Sequence, residues 1–145
     1  MSNEYTAVNA AWRKKLLALT DRLSDADMAR MVSGQGWTVG VALGHLAFWD
    51  QRARVLLKRW KAGGIGDSPN DIDVVNDSMI PFLKAIPPAE VRRLVREAAE
   101  GIDAEIDNLA PDFLARVELN GKPMRLDRGK HREHHVAQIE KTLSL

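Results

Sequence analysis

The chain has 145 residues, 45% of them apolar and 28% charged, with a formal net charge of +1. That length suits one domain with its own core, spanning residues 1–145, and the balanced charge gives no general field for nucleic acid or an anionic membrane. The absence of cysteine excludes disulfides, thiolate metal ligands and a cysteine nucleophile.

From about Glu4 to Leu23, the residues Val8, Trp12, Leu16, Leu19 and Leu23 recur at spacings of three and four, one stripe of an amphipathic helix. Ser24 and Asp27 stand at capping-box spacing for a short turn, and SGQGW then breaks the pattern with two glycines. Thr38 is placed to cap a long second helix, roughly Val39 to Ala62, on which Val41, His45, Trp49, Arg52 and Leu56 share one line. The basic residues Arg52, Arg54, Lys58, Arg59 and Lys61 crowd its C-terminal half, where they suit the helix dipole. GGIGDSPN ends it; this loop follows a helix and lacks GK[ST], so it is not read as a phosphate loop.

Asn70 or Asp71 can cap a third helix with Ile72, Val75, Met79, Phe82 and Ile86 in register, and Pro81 should kink or interrupt it. Pro87-Pro88 forces a boundary. The next helix carries the cleanest stripe, Val91, Val95, Ala98, Ile102, Ile106 and Leu109. Between Pro111 and Gly129 the helical signal fades, and Asn120-Gly121 between short alternating runs reads as a hairpin. Asp127 can cap the last helix, with His131, His135 and Ile139 on one side. The pattern predicts an all-α bundle of four main helices with one irregular, hairpin-like excursion before the last.

Three of the four histidines lie in GKHREHHVAQIEK. His131 and His135 are one turn apart and about 40° apart around the axis, so both imidazoles can reach one ion. Such a pair can equally be solvated or serve the helix dipole. His134 points about 100° away from His135 and reads as a rim residue. His45 lies in an apolar row, where a histidine is either a satisfied core residue or a ligand. A bundle interior brings such residues together. Three neutral imidazoles with an open fourth position form a catalytic rather than a structural arrangement, suited to Zn²⁺, Ni²⁺ or Fe²⁺ rather than Mg²⁺ or Ca²⁺.

The run Trp37-Thr38…Leu43-Gly44-His45-Leu46, with His131…His135-Val136-Ala137-Gln138-Ile139, resembles the DinB-like (YfiT-like) superfamily of metal-dependent enzymes. DIDVVND is similar to the start of that family's third helix. The resemblance implies a four-helix bundle of up-down-down-up topology and a divalent metal, Zn²⁺ or Ni²⁺, held by His45, His131 and His135. It also implies a homodimer and chemistry that uses a low-molecular-weight thiol cosubstrate. Val41 stands where many relatives have a glutamate that back-caps the helix. Sliding the C-terminal motif by one residue would put Lys130 and His134 in the ligand slots; the register retaining both imidazoles is preferred.

A three-histidine dication with an exchangeable position can acidify water, giving hydrolysis, or a thiol, giving a nucleophile for addition or substitution. Without cysteine, that thiol must come from a cosubstrate. The leading expectation is a metal-dependent enzyme performing thiol-dependent S-transfer or isomerisation on a small electrophile. The alternatives are a metal-dependent hydrolase or detoxification protein, and a non-catalytic helical dimer or small-ligand binder. Trp49 can wall a pocket or fill the core, and Trp37 can form a pocket rim or a hydrophobic staple. Asn76 can bond substrate or sit at the surface. Lys122, Arg125, Arg128, Lys130 and Arg132, opposed by Asp127 and Glu133, can draw a carboxylated substrate to the site mouth or simply be solvated; Arg128 is the candidate carried forward. No apolar run approaches the roughly 18–20 residues of a membrane span, and MSNEYTAVNAAWRKK lacks the order of a signal peptide, so a cytoplasmic protein with no membrane or nucleic-acid partner is expected.

Overall fold

A computed structural model describes residues 2–68, 71–120 and 124–145. Among these the regular structure is helical: α1 (Thr6–Arg22), α2 (Asp25–Met28), α3 (Val39–Gly63), α4 (Ile72–Lys84), α5 (Pro88–Asp107), α6 (Pro111–Glu118) and α7 (Gly129–Leu143). An isolated antiparallel bridge joins Met31 and Thr38. Among the described residues no helix is long and apolar enough to cross a membrane.

The bundle is made by α1, α3, α5 and α7, which pack on one another in the pairs α3–α5, α1–α7, α1–α5 and α3–α7. The sequence stripes face inward as their period requires: Leu16 and Leu19 of α1, Val91, Val95, Ala98, Ile102 and Ile106 of α5, and Ile139 of α7 are buried. These side chains fall into two clusters, one around Leu16, Leu43, Val95 and Ile139 and the other around Leu57, Ile102, Val117 and Leu126. Helix starts follow local chemistry. Ser24 and Asp27 form the reciprocal capping box. The Thr38 hydroxyl accepts from Val41 N at 3.1 Å, so a threonine cap suffices where Val41 itself is a buried core residue. Pro88 opens α5 and Pro111 opens α6, where a missing N–H costs nothing.

Three expectations are corrected and a fourth is narrowed. The helix opened by DIDVVND is α4, which packs chiefly on α3; the third bundle member is α5. Phe82, placed in the inward stripe, is 76% exposed, because α4 is covered on one side only. Of the kink or interruption expected at Pro81, the interruption is absent: α4 runs on to Lys84. The segment after Pro111 is helical through Glu118, so the first arm of the expected hairpin, around Val117, belongs to α6. Asn70, Gly121 and Lys122, invoked above for a cap, the hairpin and the basic cluster, lie outside the described residues.

Candidate metal centre and its cavity

Residue His45 lies in the second turn of α3, and His131 and His135 lie one turn apart near the start of α7. Packing of α3 on α7 brings the three rings together with centroids 4.9–5.1 Å apart. His131 Nε2 is 3.1 Å from His45 Nε2 and 3.2 Å from His135 Nε2. Three imidazole nitrogens around one zinc ion, at about 2.0–2.1 Å each, stand roughly 3.3 Å from one another in tetrahedral geometry, so the observed spacing fits a shared ion.

Hydrogen bonding among the rings alone accounts for the arrangement less well. A neutral imidazole nitrogen carries either a proton or a lone pair, so His131 Nε2 cannot make a full hydrogen bond with both neighbours. The donor chemistry points the same way. His135 Nδ1–H donates to Gln138 Oε1 at 2.9 Å, which leaves Nε2 as the bare lone pair facing the other rings. Burial, then the neighbouring imidazoles, hold the His45 and His135 pKa values down at about 4, although the Gln138 bond opposes the shift at His135. Burial, followed by His135, His45 and Arg128, takes His131 down to about 2. All three are therefore neutral at pH 7, the state a metal ligand must have. The residues present fit a divalent ion.

A cavity of about 470 Å³ opens beside this centre, lined by His45, His131 and His134 and by Trp49, Asn76 and Arg128 among others. The Trp49 indole N–H donates to Asn76 Oδ1 at 2.9 Å, and its ring meets His45 edge-on. Asn76 thus spends its carbonyl on fixing the indole. Trp37 packs against His45 and His135 at centroid distances of 4.9 and 6.4 Å. It braces the imidazoles and is not among the described residues lining the cavity. His134 and Lys130 are exposed, so the register that pairs His131 with His135 is the one that reaches His45.

The cavity wall is cationic. Arg52, Arg125, Arg128 and Lys130 line it, against the single carboxylate of Asp127 among its described residues. Burial and the charge of Arg128 both lower the Arg52 pKa. Arg52, expected to suit the helix dipole, also lies over the Trp49 ring and reaches Ser68. Arg132 is corrected: read as part of a surface cluster, it is fully buried.

Two acids missed in the sequence hold it. Arg132 donates to both oxygens of Asp103 at 2.9 Å and to Asp50 Oδ2 at 3.1 Å. Burial opposes its charge, but Asp50 and Asp103 more than offset that and raise its pKa. Asn9 of α1 was also missed. Its Oδ1 accepts from Arg128 N at 2.8 Å and Gly129 N at 3.2 Å, and its Nδ2 donates to Leu126 O at 2.9 Å. With Asp127 Oδ1 accepting from Lys130 N at 3.2 Å, as expected, a second helix and a local side chain cap α7 together. Asp50 falls in the inward register of Leu43, Leu46, Ala53 and Leu57, and that was the available signal for the network; for Asn9 there was none.

No curated protein and no solved structure matches the chain. The sequence profile of one family matches residues 9–130, a span that contains His45 and ends just before His131. The two histidines of α7 therefore enter the centre on geometry, while α1 through the start of α7 carries the family signature. From that match, the chain belongs to the mycothiol maleylpyruvate isomerase N-terminal domain family, a branch of the DinB-like helical superfamily.

Proposed function

We propose that this protein binds one divalent metal ion, zinc or nickel, through Nε2 of His45, His131 and His135, and catalyses thiol-dependent transfer or isomerisation on a small anionic electrophile. The observation that carries the reading is the convergence of three neutral imidazole lone pairs at 3.1 and 3.2 Å beside a cationic cavity. A dication held there would supply a Lewis acid that favours the deprotonated form of a small thiol. The chain has no cysteine, so the sulfur is a cosubstrate's, and the family's link to mycothiol supports a low-molecular-weight thiol in that role.

The protein's own residues then bind and orient. Arg128 and Arg52 receive a carboxylate, and Trp49, fixed by Asn76, walls the site beside His45. Addition of the thiol to an activated double bond forms a C–S bond and places a proton on the neighbouring carbon. Rotation and reversal return the thiol and an isomerised product, whereas departure of a leaving group completes a transfer.

The test is metal content by plasma mass spectrometry on untagged wild type, His45→Ala and His135→Ala, followed by turnover with small thiols and carboxylated electrophiles. About one equivalent of zinc or nickel in wild type, lost in both variants together with turnover, supports the reading. Wild type that takes up no metal on reconstitution refutes it.

A further inference from the structure

An unbroken line of alternating charges crosses the bundle and ends at the cavity. Arg13 Nη1 of α1 bonds Asp103 Oδ2 at 2.6 Å, and Asp103 of α5 holds Arg132 of α7. Arg132 meets Asp50 Oδ2 of α3, and Asp50 Oδ1 accepts from Arg128 Nε at 2.9 Å. Asp50, Asp103 and Arg132 are each no more than 2% exposed, and Arg128 is 8% exposed. Three guanidinium groups thus share two carboxylates, which leaves one positive charge over; Arg13 at one end is partly exposed to water, whereas Arg128 at the other is buried and faces the cavity. Such an excess at a buried arginine is costly unless an anion meets it.

At that end the Arg128 side chain is tightly committed. Nε is used by Asp50, and Nη1 donates to the Arg125 carbonyl at 3.3 Å. Nη2 is the guanidinium nitrogen left without a partner among the described residues. Asp50 does not line the cavity. Its Oδ2 is fixed by an arginine that Asp103 grips in turn, so Oδ1 is a stationary point against which the flat guanidinium is set. Arg52, Arg125 and Lys130 also line the cavity, and like-charge repulsion would drive an unanchored Arg128 away from them.

We propose that Asp50 is a positioning residue for substrate: through Oδ1 it locks the Arg128 guanidinium so that Nη2 presents a hydrogen bond to a carboxylate of the bound electrophile. This rests on the anionic-substrate reading above and assigns to Asp50 a role that neutralising Arg132 alone does not require. Arginine suits position 128 because its planar fork fixes the direction of Nη2 once Nε is bonded to Asp50, whereas a lysine ammonium, a rotating point donor on a flexible stem, would leave that direction free.

Calorimetric binding of succinate and of its uncharged counterpart succinamide tests this, on zinc-treated and on chelator-stripped protein. Asp50→Asn is expected to weaken succinate binding about tenfold, the size of one charge-assisted hydrogen bond, with succinamide unaffected. In an Arg128→Met background the same change should have no further effect on succinate, because Asp50 acts only through Arg128. Arg128→Lys leaves Arg132 with both its carboxylates and should weaken succinate as Asp50→Asn does; it decides the matter if Asp50→Asn does not fold. Equal losses for succinate and succinamide, a full Asp50→Asn effect in the Arg128→Met background, or wild-type affinity in Arg128→Lys would each overturn the proposal. Wild type that takes up zinc but no succinate removes the anionic substrate and this inference with it, and leaves the metal reading standing.

Discussion

Replacing Asn9 by alanine tests whether the histidine-bearing helix is anchored from α1. The side chain is 1% exposed and makes three hydrogen bonds to the chain entering α7, accepting from Arg128 N and Gly129 N and donating to Leu126 O. Arg128, the N-cap residue of α7, supplies no side-chain cap of its own. Asn9→Ala keeps the backbone carbonyl that Arg132 uses but strands two N–H groups and one carbonyl away from water. At about 1 kcal/mol for each bond lost in such a setting, the cost is about 3 kcal/mol. A 145-residue chain has an unfolding entropy near 0.3 kcal/mol/K at about 2.1 cal/mol/K per residue, so the Tm should fall by about 10 °C. Differential scanning calorimetry of metal-free protein measures this, with Asn108→Ala as control. Asn108 bonds Ala104 O from an exposed position, and its loss should cost under about 0.5 kcal/mol. A fall of less than about 3 °C for Asn9→Ala, or one no larger than the control's, would refute the anchoring role, since it would mean that water replaces the amide at little cost.

Other outcomes follow from the same contacts. Because the folded pKa values of His45, His131 and His135 lie below the unfolded value near 6.5, the unfolded chain takes up protons first as pH falls, and stability is lost with it. Going from pH 7 to 5.5 should cost the metal-free protein about 1 kcal/mol per imidazole, roughly 3 in all, by urea titration; a flat profile across that window would contradict three buried neutral rings. Arg132→Met leaves Asp50 and Asp103 buried without their shared partner and should lose about 3–5 kcal/mol, whereas a neutral effect in urea would mean that the acids protonate cheaply. Gln138→Leu frees the His135 tautomer and should weaken zinc binding by about 10-fold or more in a chelator competition, with unchanged affinity counting against the tautomer argument.

The helices that form the bundle were legible because each carries a stripe that only one burial pattern satisfies. Val91 to Ile106 reads as a helix and is one, and Thr38 and Pro87-Pro88 mark ends by local chemistry alone. The α6 segment was lost although Pro111 at its start and the Phe113, Leu114, Val117 spacing were present; the Asn120-Gly121 turn signal, and the short alternation of Val117, Glu118 and Leu119, outweighed one and a half turns of periodicity. Helix α4 misled in the opposite sense. Its stripe is regular, but periodicity says only that a face is apolar, and Phe82 shows that the face need not be covered within the chain.

The site divides along the same line. His131 and His135 announce each other at four residues' distance, and His45 joins them once the inward faces of α3 and α7 are known. The charged network has no such local signature: Asp50 meets Arg132 across 82 residues, and the pairing exists only after three helices have taken their register. Yet the two halves are interleaved on α7, where Arg128, His131, Arg132 and His135 alternate within two turns. That interleaving has an electrostatic consequence. The charge of Arg128 helps hold His131 deprotonated, while Asp50 and Asp103 neutralise Arg132 on the core side. Ligands that must be neutral and a wall that must be positive can then share one short helix, provided the compensating carboxylates come from α3 and α5 and bond away from the cavity. Moving either acid to the cavity side would neutralise the wall and raise the imidazole pKa values together. The placement of Asp50 and Asp103 is therefore as much a part of the site as the histidines.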